Sequence, residues 1–422
     1  MARNGSRSAR RGGPPALTGS GNSADYHRWV TTTVVTRESE LSVVSKPGVP
    51  GHGGLDPATG LLLDHLEISD GDAVLDLHCG AGLLGSFAAT EGASRVEMYD
   101  RNLLAVEAAR RTIASNDARG ATVHFGVAPG SGIEASFDVA TIRLPIGRLP
   151  TLHQIWAAFR NLRPGGRCYL AGANDEGIRT ALRQMADIFG ECEVLGYRGG
   201  NRAGTAIRPS ELPESAHESL IPWVDEELFH RFAAPTPAGS IEIHSRPGVF
   251  SWDRLDAGSR ALLQTMEITP GDSILEIGCG YGVVGLAAAR LSESGPVLLL
   301  DVDADAVRAA RLSARANGLS ERVEVMASDG ASAAGERRFD VVVTNPPFHL
   351  EKGTNLAIPS QFIRDAARVL APGGRLYLVA NRTLPYERWL AEAFGSFEIA
   401  RDGREFKVLT AVSRPLHRKK GS

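Results

Sequence analysis

The chain is written twice. Sliding the sequence against itself by about 200 positions brings its two halves into register, the kind of internal repeat that fixes architecture before any local pattern does. Pro47-Gly48-Val49 falls on Pro247-Gly248-Val249, Leu55-Asp56 on Leu255-Asp256, Glu67-Ile68 on Glu267-Ile268 and Gly71-Asp72 on Gly271-Asp272. Leu75-Asp76-Leu77-His78-Cys79-Gly80-Ala81-Gly82 then lies over Leu275-Glu276-Ile277-Gly278-Cys279-Gly280-Tyr281-Gly282. With small changes of register, Phe137-Asp138 meets Phe339-Asp340, and Pro164-Gly165-Gly166-Arg167 meets Pro372-Gly373-Gly374-Arg375. Whatever fold one half adopts, the other must adopt too. A chain of 422 residues is also too long for one ordinary domain. The expected layout is a basic arm rich in Gly, Ser and Pro over residues 1–24, a first domain over 25–208, a Pro-containing linker over 209–239, a second domain over 240–414, and a basic tail over 415–422.

Each half alternates short apolar runs with helical spacing. In the second half, Ser273 to Ile277, Val297 to Asp301, Arg322 to Ala327, Asp340 to Thr344 and Arg375 to Ala380 read as strands. Between them, Val283 to Leu291, Ala304 to Asn317 and Gln361 to Leu370 read as helices. This alternation predicts an α/β fold, a doubly wound and mostly parallel sheet that binds ligands at the carboxyl ends of its strands. Glu405 to Val412 is expected to complete the sheet as a hairpin partner.

Composition narrows the partners. A net charge of −3, with 23% charged residues, excludes a protein coated in positive charge, so any nucleic-acid contact must be local. The four cysteines, Cys79, Cys168, Cys192 and Cys279, form no CxxC pair, so a reduced protein with no metal site is expected. No apolar run approaches a membrane span, and a cytoplasmic location is expected.

The second half carries an ordered set of candidate ligand groups. Glu276 ends a strand and is followed by Gly278, Gly280 and Gly282, which let backbone approach a ligand closely. Asp301 ends the next strand, where a carboxylate can accept ribose hydroxyls. Asp329 follows the third, where it can receive an adenine amino group, while Asp303 or Asp305 reads as a helix cap. After the fourth strand comes Asn345-Pro346-Pro347-Phe348, which looks like the catalytic loop of amino-group methyltransferases. An exocyclic amine on a base is a poor nucleophile because its lone pair is delocalised into the ring. The Asn345 side-chain oxygen and the Pro346 carbonyl can each accept one of its two N–H groups and steer the lone pair toward an incoming methyl group. The prolines restrict their own and the preceding φ, which aims those acceptors in advance, and Phe348 offers a face for stacking.

Taken together, the second half resembles a class I S-adenosylmethionine-dependent methyltransferase, with the first half a Rossmann-like twin. More narrowly, Pro247-Gly248-Val249-Phe250-Ser251, Asn345-Pro346-Pro347-Phe348-His349, Val379-Ala380-Asn381 and Phe406-Lys407-Val408 resemble the ribosomal RNA guanine-N2-methyltransferases, over almost the whole chain after about residue 25. The resemblance implies S-adenosylmethionine as cofactor, with Glu276 and the glycines at its methionine end, Asp301 at the ribose and Asp329 at the adenine. It implies ribosomal RNA or a ribosomal subunit as partner, with the small subunit favoured and a monomer plausible. Adenine N6, a protein glutamine amide and large-subunit RNA remain open, as does a non-enzymatic assembly factor.

The first half lacks the chemistry. Arg143-Leu144-Pro145-Ile146 stands in place of the amine-holding tetrapeptide, His78 replaces Gly278, and Val127 stands near the place of the adenine acid. A silent domain that orients the active one or grips RNA is expected, with Arg143 either in a surface salt bridge or on the RNA.

Overall fold

The computed structural model describes residues 26–36, 39–130, 135–219, 224–225, 227–347, 356–382 and 384–413. The basic arm, the basic tail, Phe348 and His349 lie outside them. The first half contains strands β1 (Val30–Val35), β2 (Glu40–Ser45), β3 (Ala73–Leu77), β4 (Arg95–Asp100), β5 (Ala121–Phe125), β6 (Phe137–Arg143), β7 (Leu162–Ala173), β8 (Glu193–Arg198) and β9 (Asn201–Ile207). The second repeats them as β10 (His230–Thr236), β11 (Gly239–Ser245), β12 (Ile274–Ile277), β13 (Val297–Asp301), β14 (Val323–Ala327), β15 (Phe339–Thr344), β16 (Leu370–Asn381), β17 (Glu398–Asp402) and β18 (Phe406–Val412).

The two seven-stranded sheets have the same order, β5-β4-β3-β6-β7-β9-β8 and β14-β13-β12-β15-β16-β18-β17. Pairing is parallel up to β7 and β16 and antiparallel for the last two strands of each sheet. The central strands read as continuous apolar runs because both sheet faces are covered: one face of the second sheet packs on Leu286, Val307 and Ala310, the other on Phe362, Ile363 and Leu390. In each sheet the order reverses beside the central strand, β3 or β12, so the loops after β12, β13 and β15 open toward a common crevice. The segment expected as hairpin partner is β18, which inserts between β16 and β17.

The stretch expected as a linker, 209–239, is partly structured. It holds the helix Glu214–Ser219 and β10, which pairs with β11 from His230↔Ser245 to Thr236↔Gly239. Its prolines imitate a linker, but Pro235 sits in a two-stranded ribbon where no neighbour needs its missing N–H, and the hairpin turns at Gly239 with φ of 90°.

The halves meet through equivalent turns. Leu103 N donates to Val302 O at 2.9 Å, and Ala304 N donates to Arg101 O at 2.8 Å. Because Asp100 and Asp301 are counterparts, these two bonds are the same bond seen from either side of a pseudo-twofold axis. Asp303 caps the helix Ala304–Ala316, as its position predicted, and also accepts Arg101 Nη2 at 2.7 Å. Val49, Leu104 and Ala108 form a small apolar cluster there, with Trp29 and Val302 against it. Among the described residues no helix is long and apolar enough to cross a membrane.

Candidate active site

The turn after β12 is built on left-handed backbone at Gly278, Gly280 and Gly282, with φ of 72°, 55° and 83°. A β-carbon on Gly278 would lie 3.1 Å from the Phe362 ring, whereas one on Gly280 would meet nothing within 4 Å. The turn is held by Gly278 N and Cys279 N, which donate to Leu300 O at 2.8 and 3.0 Å. Asp301 stands at the tip of β13 and accepts Gly280 N at 2.8 Å and Asp303 N at 3.0 Å, one on each carboxylate oxygen. Burial, with Asp303 adding to it, pushes the Asp301 carboxyl up to about 6.

Glu276 lies deeper. It is only 4% exposed, and its Oε2 accepts Gly285 N at 2.8 Å, bracing the turn from beneath. Burial raises this carboxyl to about 8, and Asp301 adds to the rise.

Asn345, at the end of β15, is half-buried, Pro346 is buried and Pro347 exposed. The Asn345 Nδ2 donates to Asp256 Oδ2 and to Ser259 Oγ, each at 3.1 Å. With both amide hydrogens engaged by the protein, the side-chain carbonyl is the group presented for an incoming donor. Asp256 also caps the helix Ala257–Leu263 through Ser259 N at 2.9 Å. Sequence reasoning passed over these two orienting residues although their signal was present: Asp56 and Thr59 repeat the same cap in the first half, Thr59 N donating to Asp56 at 2.9 Å. Asp256→Ala is expected to lower kcat about tenfold by releasing the amide, and to cost about 1 kcal/mol through the lost cap. Steady-state kinetics and thermal unfolding of the variant check both.

The first half shows what the same architecture does without these groups. His78 keeps the left-handed turn, with φ of 57°, and its Nδ1 lies 2.9 Å from Arg143 O, so an imidazole stands where Gly278 carries no side chain. Arg143 pairs with Asp56 at 2.6 Å and Glu176 at 3.0 Å, so the counterpart of Asp256 holds a guanidinium instead of an amide. The salt-bridge expectation for Arg143 is met, in a cleft rather than on open surface. A cavity of about 580 Å³ adjoins these residues. Its walls carry neither an amide acceptor at the end of β6 nor a carboxylate at the place of Asp329, so its size does not make it the reaction site.

Comparison with known proteins gives the family. The methyltransferase small domain family matches residues 40–201 and again 240–410, one match per half. A "Ribosomal RNA small subunit methyltransferase C" of Pseudomonas entomophila is 31% identical over 371 residues, spanning 85% of this chain and 99% of that protein. The protein of the same name from Shewanella halifaxensis is 30% identical over 293 residues, 69% of this chain and 81% of its own. The chain belongs to the ribosomal RNA small subunit methyltransferase C family. Among solved structures, the T. thermophilus 16S rRNA N2 G1207 methyltransferase in complex with AdoMet and guanosine superposes with a TM-score of 0.77 at 29% identity, covering 93% of this chain and 100% of that one.

Members of this methyltransferase family use S-adenosylmethionine, and the second half has the groups to receive it. The glycine turn offers backbone access, and the carboxylates Asp301 and Asp329 offer acceptors for hydroxyl and amine donors. Hydroxyl donors favour the ionised form of Asp301, and a cationic ligand favours the ionised form of Glu276. Both carboxyls sit above their ordinary values, so binding near pH 6 is expected to release protons and to tighten as pH rises toward 8. Calorimetric titration of S-adenosylhomocysteine in buffers of different ionisation heat reads this directly for the Asp301 contribution. Proton uptake, or a flat profile, contradicts it.

Proposed function

We propose that the second half of this chain transfers a methyl group from S-adenosylmethionine to the exocyclic N2 of a guanine in 16S rRNA, with Asn345, Pro346, Pro347 and Phe348 as the amine-holding site. The reading is carried by one observation: both amide hydrogens of Asn345 are tied to Asp256 and Ser259, leaving its carbonyl as an acceptor beside the glycine turn. Glu276, Gly278, Gly280, Gly282, Asp301 and Asp329 are the proposed cofactor-binding residues. A guanine amine donating to the Asn345 carbonyl and to the Pro346 carbonyl has its lone pair turned out of conjugation. When bound, the cofactor would supply an electrophilic methyl group on a sulfonium, whose sulfur would remain behind as a neutral thioether. Held by these two carbonyls, the amine would become acidic once methylated and would then give up its proton to water, so no dedicated base is required.

The base is set apart from other planar amines by its company. Adenine-N6 and glutamine methyltransferases share the Asn-Pro-Pro logic, but likeness over 93% of the chain to a 16S rRNA N2 enzyme, twin domain included, supports guanine in the small subunit. The proposed partner is therefore 16S rRNA or the subunit that carries it, met in the cytoplasm. A monomer suffices, because the pseudo-twofold face is already used within one chain. The first half, ending after β9, is proposed as silent, and the second as starting with β10.

The test is a transcript or reconstituted subunit in which the target guanine is replaced by inosine, which lacks the N2 amine. It is expected to accept no methyl group, while the guanine form yields N2-methylguanosine on nucleoside analysis. Equal labelling of both overturns the assignment of the amine.

A further inference from the structure

The first half reaches across the interface into the cofactor crevice of the second. Tyr26 is 2% exposed and belongs to the apolar core of the second sheet, with Leu300, Ile358 and Phe362. Its hydroxyl donates to Asp329 Oδ1. Lys46, the residue after β2, is 3% exposed, and its Nζ lies 2.5 Å from Asp329 Oδ2. The same ammonium sits 4.2 Å from the centre of the Tyr26 ring and 5.7 Å from that of Trp29. Burying an ammonium is costly unless it is paired, so the chain places this charge for a purpose that its partner must reveal. The partner is the residue read as the adenine acid.

The turn that carries Lys46 lies between the halves. Gly48 has φ of 96°, and a β-carbon there would come within 2.8 Å of Leu104 and 3.8 Å of Ile358. The positive φ and the approach of Leu104 in the same half are what call for glycine here, while Ile358 on the helix Ala357–Val369 of the other half stays at ordinary contact distance.

We propose that Tyr26 and Lys46 of the silent half are positioning residues for the adenine end of S-adenosylmethionine, holding and aiming the Asp329 carboxylate of the active half. A carboxylate has about four lone-pair positions. The first half takes one on each oxygen. One remains on each, and with Asp329 still 19% exposed, an adenine amine can donate there. Asp365 is a second carboxyl in this corner, raised by burial and raised further by Asp329. Without the ammonium, two acids share this corner and Asp329 loses its fixed orientation.

The pseudo-twofold supplies an internal control. The counterpart of Lys46 is Arg246, and the counterpart of Asp329 is Val127. Arg246 lies 3.8 Å from Asp305, in its own half. Arg246 also acts on His153 of the first half, but Val127 gives it no acid there in the place of Asp329, so the hold on a carboxylate at that position belongs to the second half.

This inference rests on the reading of Asp329 as the adenine acid, and the experiment separates the two. Full-length wild type, Asp329→Ala, Lys46→Met, Lys46→Arg and Tyr26→Phe are titrated calorimetrically with S-adenosylhomocysteine and with S-inosylhomocysteine, in which the 6-amino group is replaced by oxygen. Wild type is expected to prefer the adenine form about tenfold or more, the value of a hydrogen bond to a charged acceptor. Asp329→Ala should erase the preference. Lys46→Met should bring it to about threefold or less, Tyr26→Phe should reduce it by about threefold, and Lys46→Arg should restore most of it. If Asp329→Ala keeps the preference, the adenine reading falls and the proposal falls with it. If Asp329→Ala erases it while Lys46→Met and Tyr26→Phe keep it, the proposal alone is overturned. Equal weakening of both ligands by Lys46→Met, with the preference intact, means a merely structural contact and also overturns it. So does tighter binding of the adenine form, which makes Lys46 a competitor. Should Lys46→Met fail to fold by circular dichroism, Tyr26→Phe decides: an unchanged preference overturns the proposal.

Discussion

Asn345→Ala is expected to lower kcat for methyl transfer to 16S rRNA by about a hundredfold to a thousandfold, the usual consequence of removing one preorganised polar group from a reacting centre. The substitution removes the carbonyl that accepts the guanine amine and leaves the backbone of Pro346 alone to do so. It also releases Asp256 and Ser259, whose hydrogen bonds to Nδ2 are both 3.1 Å long, but these remain satisfied as helix caps or by water. Stability should therefore change little, and S-adenosylhomocysteine should bind as before, which separates a chemical defect from an unfolded one. The matching substitution in the first half, Arg143→Ala, should leave kcat within about tenfold on saturating RNA while lowering the unfolding temperature, because Asp56 and Glu176 lose their shared cation. Equal loss of turnover in both variants contradicts the division of labour between the halves.

Gly278→His is expected to abolish cofactor binding, with affinity reduced at least about a hundredfold by a side chain placed where close backbone approach is needed. The first half has already made this substitution. His78 adopts φ of 57° against 72° for Gly278, so the turn tolerates the residue and the fold survives it. The side chain is what closes the site. In the second half the imidazole enters the space next to Phe362, which a β-carbon alone would approach to 3.1 Å. The reverse change, His78→Gly, should not create a second cofactor site, since Val127 supplies no acid. Circular dichroism and calorimetric titration together read both variants: a folded Gly278→His protein that binds S-adenosylhomocysteine normally contradicts the account of the glycine turn.

Much of this was legible in the sequence because the repeat constrained every element twice. β13 begins and ends at the residues that its apolar run predicted, and β12, β14 and β15 start within one residue of expectation. β16 runs longer, from Leu370, because the Pro-Gly-Gly turn that reads as a break is carried inside an extended strand. The hairpin strand β10 was hidden by its prolines, which match a linker in composition although an edge ribbon accommodates them. The acids Asp301 and Asp329, the glycines and Asn345 follow the adjacent parallel strands β14-β13-β12-β15 and so stand at one end of the sheet, as the order of the apolar runs implied. What no periodicity could show is the origin of the groups that hold them. Tyr26 and Lys46 stand 303 and 283 residues from Asp329 and meet it only because the two halves pack about a pseudo-twofold axis. Asp256 and Ser259 were passed over in the sequence, and the structure shows that they form a helix cap and also hold the Asn345 amide.

The central claim is that one guanine of 16S rRNA receives its N2 methyl group from the Asn345 site. The direct measurement is mass-spectrometric mapping of N2-methylguanosine in 16S rRNA from a strain lacking the gene, and from the same strain complemented with wild type or Asn345→Ala. One N2-methylguanosine is expected to disappear on deletion, to return with the wild-type chain and to stay absent with Asn345→Ala. An unchanged set of N2-methylguanosines in the deletion strain, or full restoration by Asn345→Ala, contradicts it.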